Sequence, residues 1–143
     1  MLNMREVREK DLDGLLEIIN EPKVIRYMPL EKPVTMERVR KWYDSSLLNH
    51  ALSIFVLELD RIIGALSIRK DGKTTIWISE RHQRKGYGTI AMEWAAVYAR
   101  ENGLKRLWLE CFKENRQALS FYHKLGYKDI GERGDSTIME MKL

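Results

Sequence analysis

Residues Ile90 to Ala99, "IAMEWAAVYA", are apolar nearly all round the helical wheel, which marks a helix meant for burial rather than one with a single dry face. A strand-like run stands on either side, "TTIWIS" before it and "KRLWLECF" after it. Gly103, following Asn102, is a usual place for a C-terminal helix cap. Strand, helix and strand in that order imply a right-handed crossover and a parallel pair. Whatever else the chain does, it must build a sheet with a helix laid across one face.

The rest of the chain fills in around that unit. "LNMREVR" reads as a short first strand. Asp11 is a plausible N-cap for a helix whose Leu12, Leu15, Leu16 and Ile19 recur at helical spacing as far as Asn20-Glu21-Pro22. "KVIRYMPLEKP" reads as an irregular loop, and Thr35 can cap a second helix with Met36, Val39, Tyr43 and Leu47 on its apolar side. "LSIFVLEL" and "IIGALSIR" are joined at Asp60-Arg61, and Asp71-Gly72 signals a hairpin into "TTIWIS". After "KRLWLECF", Gln117 to Lys124 form a helix stopped near Gly126, and "YKDIGER" and "TIMEMKL" close the chain as strands. The expected fold is α+β: a mixed, mostly antiparallel twisted sheet of six to seven strands, helices on both faces, and one parallel strand-helix-strand unit.

A length of 143 residues fits one domain, and 44% hydrophobic with 32% charged residues is the balance of a folded globular chain. No apolar run reaches the length of a membrane span, and "MLNMREVREKDLDG" lacks the apolar core of a signal peptide. One cysteine, Cys111, cannot form an internal disulfide, which agrees with a cytoplasmic location. The net charge of +4 is spread along the chain, so it permits an anionic ligand without demanding nucleic acid.

The turn that opens the apolar helix, Gln83-Arg84-Lys85-Gly86-Tyr87-Gly88-Thr89, carries the chemistry. The first N–H groups of a helix have no internal partners and sit at its positive end. Glycines at 86 and 88 remove the Cβ atoms that would keep a ligand away, and Gln83, Arg84 and Lys85 add donors and charge. The combination suits a phosphate. It is not a Walker A loop, because no lysine and Ser/Thr pair follows the glycines. Gly86 to Ala91 does match G-x-G-x-x-A, with Glu110 near where a ribose-binding acid belongs. The basic segment Ser79 to Lys85 makes the loop too long for a dinucleotide site, however, and too few residues follow Glu110 to build the remaining parallel strands.

Gln83-Arg84-Lys85-Gly86-Tyr87-Gly88 resembles the Q/R-x-x-G-x-G/A loop of the GNAT superfamily of acyl-CoA N-acyltransferases. "ENRQALSFYHKLGYKDIGE" resembles that superfamily's later motif through Asn115, Ala118, Tyr122 and Gly126-Tyr127. "LKRLWLE" is similar to the fifth strand of its ribosomal-protein N-terminal acetyltransferase branch. The resemblance implies that the turn receives the pyrophosphate of acetyl-CoA, and the residues themselves lead us to expect no metal. It also implies that the pantetheine arm pairs with backbone near Ile78, and that this strand and the next splay apart to open a cleft.

Acyl transfer from a thioester to an amine makes three demands. The amine must lose a proton, and Glu110 at the end of its strand is the leading base, directly or through a water. An alternative is that Glu110 is a strand-end carboxylate paired with a nearby Lys or Arg, with Glu31, Glu80 or Glu114 serving instead. The oxyanion needs donors, for which a backbone N–H at Ile78 or Ser79 is the default. The departing thiolate gains from a proton, and Tyr122 matches the family's general acid. Asn115 can hold a pantetheine amide, cap the helix after it, or do both.

Other groups read as inert. Strand alternation puts Cys111 on the face opposite Glu110, His50, His82 and His123 share no metal-ligand spacing, and the four tryptophans read as packing, with Trp77 a candidate to line the cleft. The expected partners are a primary amine (protein N-terminus, polyamine or other small amine) and, from the resemblance, a second copy of the chain, with no membrane and no nucleic acid. A non-catalytic module that senses acyl-CoA or holds nucleic-acid phosphate is the rival reading. It lacks the aromatic platform that single strands need.

Overall fold

The computed structural model describes residues 1–48 and 51–143, so His50 lies outside the described residues. The strands form two antiparallel sheets. The first holds β1 (Asn3–Glu6), β2 (Leu52–Glu58), β3 (Ile62–Arg69) and β4 (Thr74–Ile78) in that order. The second has the order β5-β7-β6, where β5 is Arg106–Phe112, β6 is Lys128–Arg133 and β7 is Ser136–Lys142. The expected α+β layout with seven strands is present. No helix among the described residues is long and apolar enough to cross a membrane.

The expected parallel pair of β4 and β5 is reduced to one rung, between Lys73 and Trp108. The Trp108 N–H donates to the Gly72 carbonyl at 3.1 Å, and its indole Nε1 donates to the Asp71 carbonyl at 3.2 Å. A Cβ on Gly72, whose φ is +93°, would sit 2.4 Å from the Arg106 carbonyl oxygen, so only glycine lets the two chains approach here. The Trp108 ring also lies 5.2 to 5.8 Å from the cations of Lys73, Arg106 and Arg69. Trp108 is therefore not a core residue, as its place on a strand suggests, but the pin that joins the two sheets at one end. Beyond it the strands separate.

Strand alternation divides the apolar side chains between two cores. Phe55, Leu57 and Leu66 face the core that takes α4 (Tyr87–Glu101), while Val56, Ala65 and Trp77 face α1 (Leu12–Ile19), α2 (Pro22–Ile25) and α3 (Met36–Leu48). The short α2 interrupts the segment expected to be wholly irregular. In α4 the buried face is small, with Ala91, Ala95, Ala96 and Ala99, which lets the helix lie close on the sheet. Its outer face carries Ile90 and Val97, each about half exposed, so the expectation of all-round burial fails there. The helix ends as expected at Gly103, with φ +79° and the Leu104 N–H returned to the Ala99 carbonyl.

Asp11 departs from the reading as an N-cap. Its carboxylate makes no cap bond to α1; it accepts the Arg8 N–H at 2.7 Å and both Arg5 terminal nitrogens at 2.9 Å. Arg5 in turn reaches Glu58 on β2, so this buried cluster ties β1, β2 and the entry to α1 together.

Candidate active site

The turn before α4 is wound left-handed twice, at Arg84 (φ +60°) and Gly86 (φ +89°). A left-handed arginine is strained by about 1–3 kcal/mol, and such strain persists where surrounding contacts fix it. Here the Arg84 guanidinium donates to the Gln117 side chain at 2.8 Å, across the cleft mouth on α5 (Arg116–Leu125). Gln83 donates to the Ile78 carbonyl at 2.9 Å, which tethers the other end of the turn to β4. Among the described residues no protein acceptor takes the N–H of Gly86, Tyr87, Gly88 or Thr89. Four convergent free donors at a helix start make a nest for an oxyanion.

The two glycines do different work. A Cβ on Gly86 would meet nothing within 4 Å, so its role is the left-handed turn. A Cβ on Gly88 would sit 3.2 Å from the Phe121 ring, so its bareness serves packing of α5 against α4 and not the approach of a ligand. Lys85 is exposed at the crest of the turn, and the Tyr87 side chain packs into the core. Neither side chain lines the cleft, and Tyr87 offers only its N–H.

The register of β4 decides which of its backbone groups face outward. The Ser79 N–H donates to the Ile63 carbonyl at 2.7 Å. Hydrogen-bonded rungs alternate in an antiparallel pair, so Trp77 opposite Ala65 is the next bonded rung and Ile78 opposite Gly64 is not. The Ile78 N–H and C=O therefore point away from β3 into the gap left by β5. This removes Ser79 as an oxyanion donor and leaves Ile78.

That gap is a cleft of about 1130 Å3. Of the residues singled out in the sequence, Ile78, Gln83, Arg84, Gly86, Gly88, Thr89, Glu110, Asn115 and Tyr122 line it, and so does Trp77. Asn115 caps α5 by accepting the Ala118 N–H at 3.3 Å through Oδ1, while its Nδ2 has no protein partner among the described residues. Capping and ligand binding are thus compatible on one side chain.

Tyr122 stands between Phe121 and Tyr127, at ring distances of 5.2 and 5.8 Å. Among the described residues its hydroxyl has no protein partner, and desolvation first, then the Cys111 thiol and Tyr127, push it well above the usual phenol range. Tyr127 is shifted the same way by burial, and its hydroxyl is fully enclosed and unpaired. Burial alone pushes the Cys111 thiol up to about 11, so the thiolate a nucleophile needs is not formed at neutral pH. Cys111 does line the cleft, on the opposite side of its strand from the ion pairs of Glu110.

Glu110 is anchored. Its Oε1 accepts from Lys73 Nζ at 3.3 Å and from Arg133 Nη1 at 2.9 Å, and among the described residues Oε2 has no protein partner. The alternative carboxylates separate by position: Glu80 and Glu114 line the cleft, and Glu31 does not. Among the described residues no three potential metal ligands gather.

Two contributors are not legible in the sequence. Glu21 accepts from the Ser79 hydroxyl at 2.9 Å and from the Glu80 N–H at 2.8 Å, which fixes α2 to the end of β4 from 58 residues away in the chain. Trp108 pins the base of the gap, and its strand position gave no sign of that. Opposite the anion turn, the cleft is walled by Val24, Arg26, Tyr27, Met28 and Leu30 with Arg38 and Trp42 of α3.

A sequence profile described as the acetyltransferase (GNAT) family matches residues 12–127. The chain is similar to the spermidine N(1)-acetyltransferase of Escherichia coli K12, 27% identical over 139 residues, covering 92% of this chain and 75% of that one. It is 38% identical over 61 residues to the uncharacterized N-acetyltransferase YobR of Bacillus subtilis, a match spanning 43% of this chain and a quarter (25%) of that relative. In architecture it superposes on spermidine N-acetyltransferase from Vibrio cholerae, solved with CoA and spermine, with a TM-score of 0.87 at 21% identity over 99% of this chain and 95% of that one.

Proposed function

The chain belongs to the acetyltransferase (GNAT) family and is an N-acetyltransferase; from that premise we propose that its single domain moves an acetyl group from acetyl-CoA directly to a primary amine. The observation that carries this reading is the row of four unpartnered N–H groups from Gly86 to Thr89 at one end of the cleft that Ile78 and Tyr122 also line. The N–H row, backed by Arg84, holds the pyrophosphate. The Ile78 C=O, which also takes the Gln83 amide, and the Asn115 Nδ2 pair with the pantetheine amides, and the outward Ile78 N–H is left for the thioester.

The chemistry then follows from what the remaining groups can do. The amine nitrogen attacks the thioester carbon, so a C–N bond forms and the C–S bond breaks. The Ile78 N–H is the donor nearest to hand for the developing oxyanion. The sulfur leaves as thiolate beside the Tyr122 hydroxyl, which stays protonated and gives it a hydrogen bond. The amine proton goes through water to the free Oε2 of Glu110, while Lys73 and Arg133 hold Oε1. Likeness to spermidine acetyltransferases supports a small amine, and a protein N-terminus fits the same step.

Thermal unfolding with and without acetyl-CoA tests the reading first. Ligand at a hundred times its Kd stabilises by about 2.7 kcal/mol, or about 8 °C in a chain of this size. Thiol release on adding amines tests the second half. No movement of Tm at saturating acetyl-CoA would end the proposal.

A further inference from the structure

The loop at the acceptor end, Glu21 to Pro33, is mixed in charge along the sequence, but the fold sorts that mixture. Arg26 lines the cleft, and Glu31 and Lys32 do not. The Lys32 Nζ is turned to the Arg26 carbonyl at 3.2 Å. Glu21 is consumed by the Ser79 hydroxyl and the Glu80 N–H, and Glu80 is paired with Lys23 at 3.3 Å. Arg38 of α3 lines the same cleft. Neither Arg26 nor Arg38 has a carboxylate partner among the described residues, and the Arg26 guanidinium rests over the Tyr27 ring at 5.1 Å. The other carboxylates of the cleft sit on the far wall, Glu110 already held by two cations and Glu114 after β5.

This end of the cleft thus carries two exposed guanidinium groups without carboxylate partners beside Tyr27, Met28, Leu30 and Trp42, while its Lys23 and Glu80 are paired with each other. A polyamine brings two or more positive charges and would need free carboxylates there; it meets cations instead, which penalises it. A planar guanidinium matches a carboxylate or phosphonate through paired hydrogen bonds. We propose that the acceptor is a compact amine carrying its own negative group, such as a free amino acid or an aminophosphonate, and that Arg26 and Arg38 bind that group while the amine enters the gap between β4 and β5. This rests on the transferase reading above and narrows it to a substrate class.

The test measures kcat/KM by thiol release for free L-leucine, L-methionine, 2-aminoethylphosphonate, the two amino acids' methyl esters and spermidine. At least one anionic amine should exceed its ester and spermidine by about tenfold, the scale of one charge-assisted hydrogen bond. Arg26→Ala and Arg38→Ala should each raise KM for that amine about tenfold and leave KM for acetyl-CoA unmoved. Esters or spermidine turned over as fast as the anionic amines would overturn the proposal. So would failure of every anionic amine while acetyl-CoA still raises Tm, and in both cases the transferase reading survives. Absence of any Tm rise with acetyl-CoA sinks both together.

Discussion

Tyr122→Phe removes one oxygen and leaves the ring contacts to Phe121 and Tyr127 in place. The phenol keeps its proton because desolvation lifts it above its ordinary range. A thiol has a reference pKa of about 8.5, so complete proton transfer to the departing sulfur is uphill from such a phenol. On the proposed reading Tyr122 supplies a hydrogen bond to charge as it forms, worth about 1.5–3 kcal/mol. At about 1.4 kcal/mol per decade, kcat should fall about 10- to 150-fold. KM for acetyl-CoA should hardly change, since the hydroxyl acts on the leaving group. The hydroxyl opens onto the cleft and has no protein partner, so its loss should move Tm by no more than about 3 °C, or 1 kcal/mol. Tyr127→Phe is the control: it deletes an enclosed, unpaired hydroxyl, so stability should rise by about 1 kcal/mol with kcat retained. Steady-state thiol release and thermal unfolding read both variants. A kcat within threefold of the parent for Tyr122→Phe, or an equal loss in Tyr127→Phe, would refute the reasoning.

The Glu110→Gln variant should lose about a hundredfold in kcat/KM at pH 7 and recover as pH rises and the amine sheds its own proton; an unchanged rate at pH 7 removes Glu110 from the chemistry. Arg5→Met should cost about 3–4 kcal/mol, because it strands the buried Asp11 carboxylate, and Arg5→Met with Asp11→Leu should recover most of that in urea unfolding. Burial alone would push Asp11 up, but the Arg5 and Arg8 hydrogen bonds hold it below its ordinary value, so its contribution is present at neutral pH and fades as acid protonates it. Cys111 works in the other direction: its folded pKa of about 11 lies above the ordinary 9.0, so stability is full below pH 9 and falls by about 1.4 kcal/mol per unit between them. Cys111→Ala should flatten that alkaline decline, and identical slopes in the two proteins would count against it.

The local rules read well where the chain itself supplies the signal. The glycines at 72, 86, 103 and 126 all adopt positive φ, and each marks a hairpin, turn or helix end that the sequence already suggested. Alternation and helical spacing placed the elements, since those patterns depend only on neighbours a few residues away. Contacts between distant segments did not read through. The β4 and β5 runs look like an ordinary parallel pair, and it takes the Trp108 pin with the outward backbone of Ile78 to open them after one rung. Sequence alone does not separate base from strut for Glu110, because its cations, Lys73 and Arg133, lie 37 and 23 residues away.

The two ends of the cleft differ in this respect for a physical reason. At the anion turn the proposed recognising groups are backbone N–H donors, aimed by helix geometry and left-handed residues, so a short stretch of sequence fixes them. At the acceptor end the proposed recognising groups are long side chains, Arg26 after α2 and Arg38 on α3, whose directions depend on contacts distant in the chain. Arg26 and Lys32 lie six residues apart with the same charge, yet one lines the cleft and the other is spent on a carbonyl. Net charge along such a loop says little, because selectivity depends on which charges reach the cleft unpaired. At the acceptor end Arg26 and Arg38 reach the cleft without a carboxylate partner, which is why a stretch of mixed charge should still discriminate against a polycation.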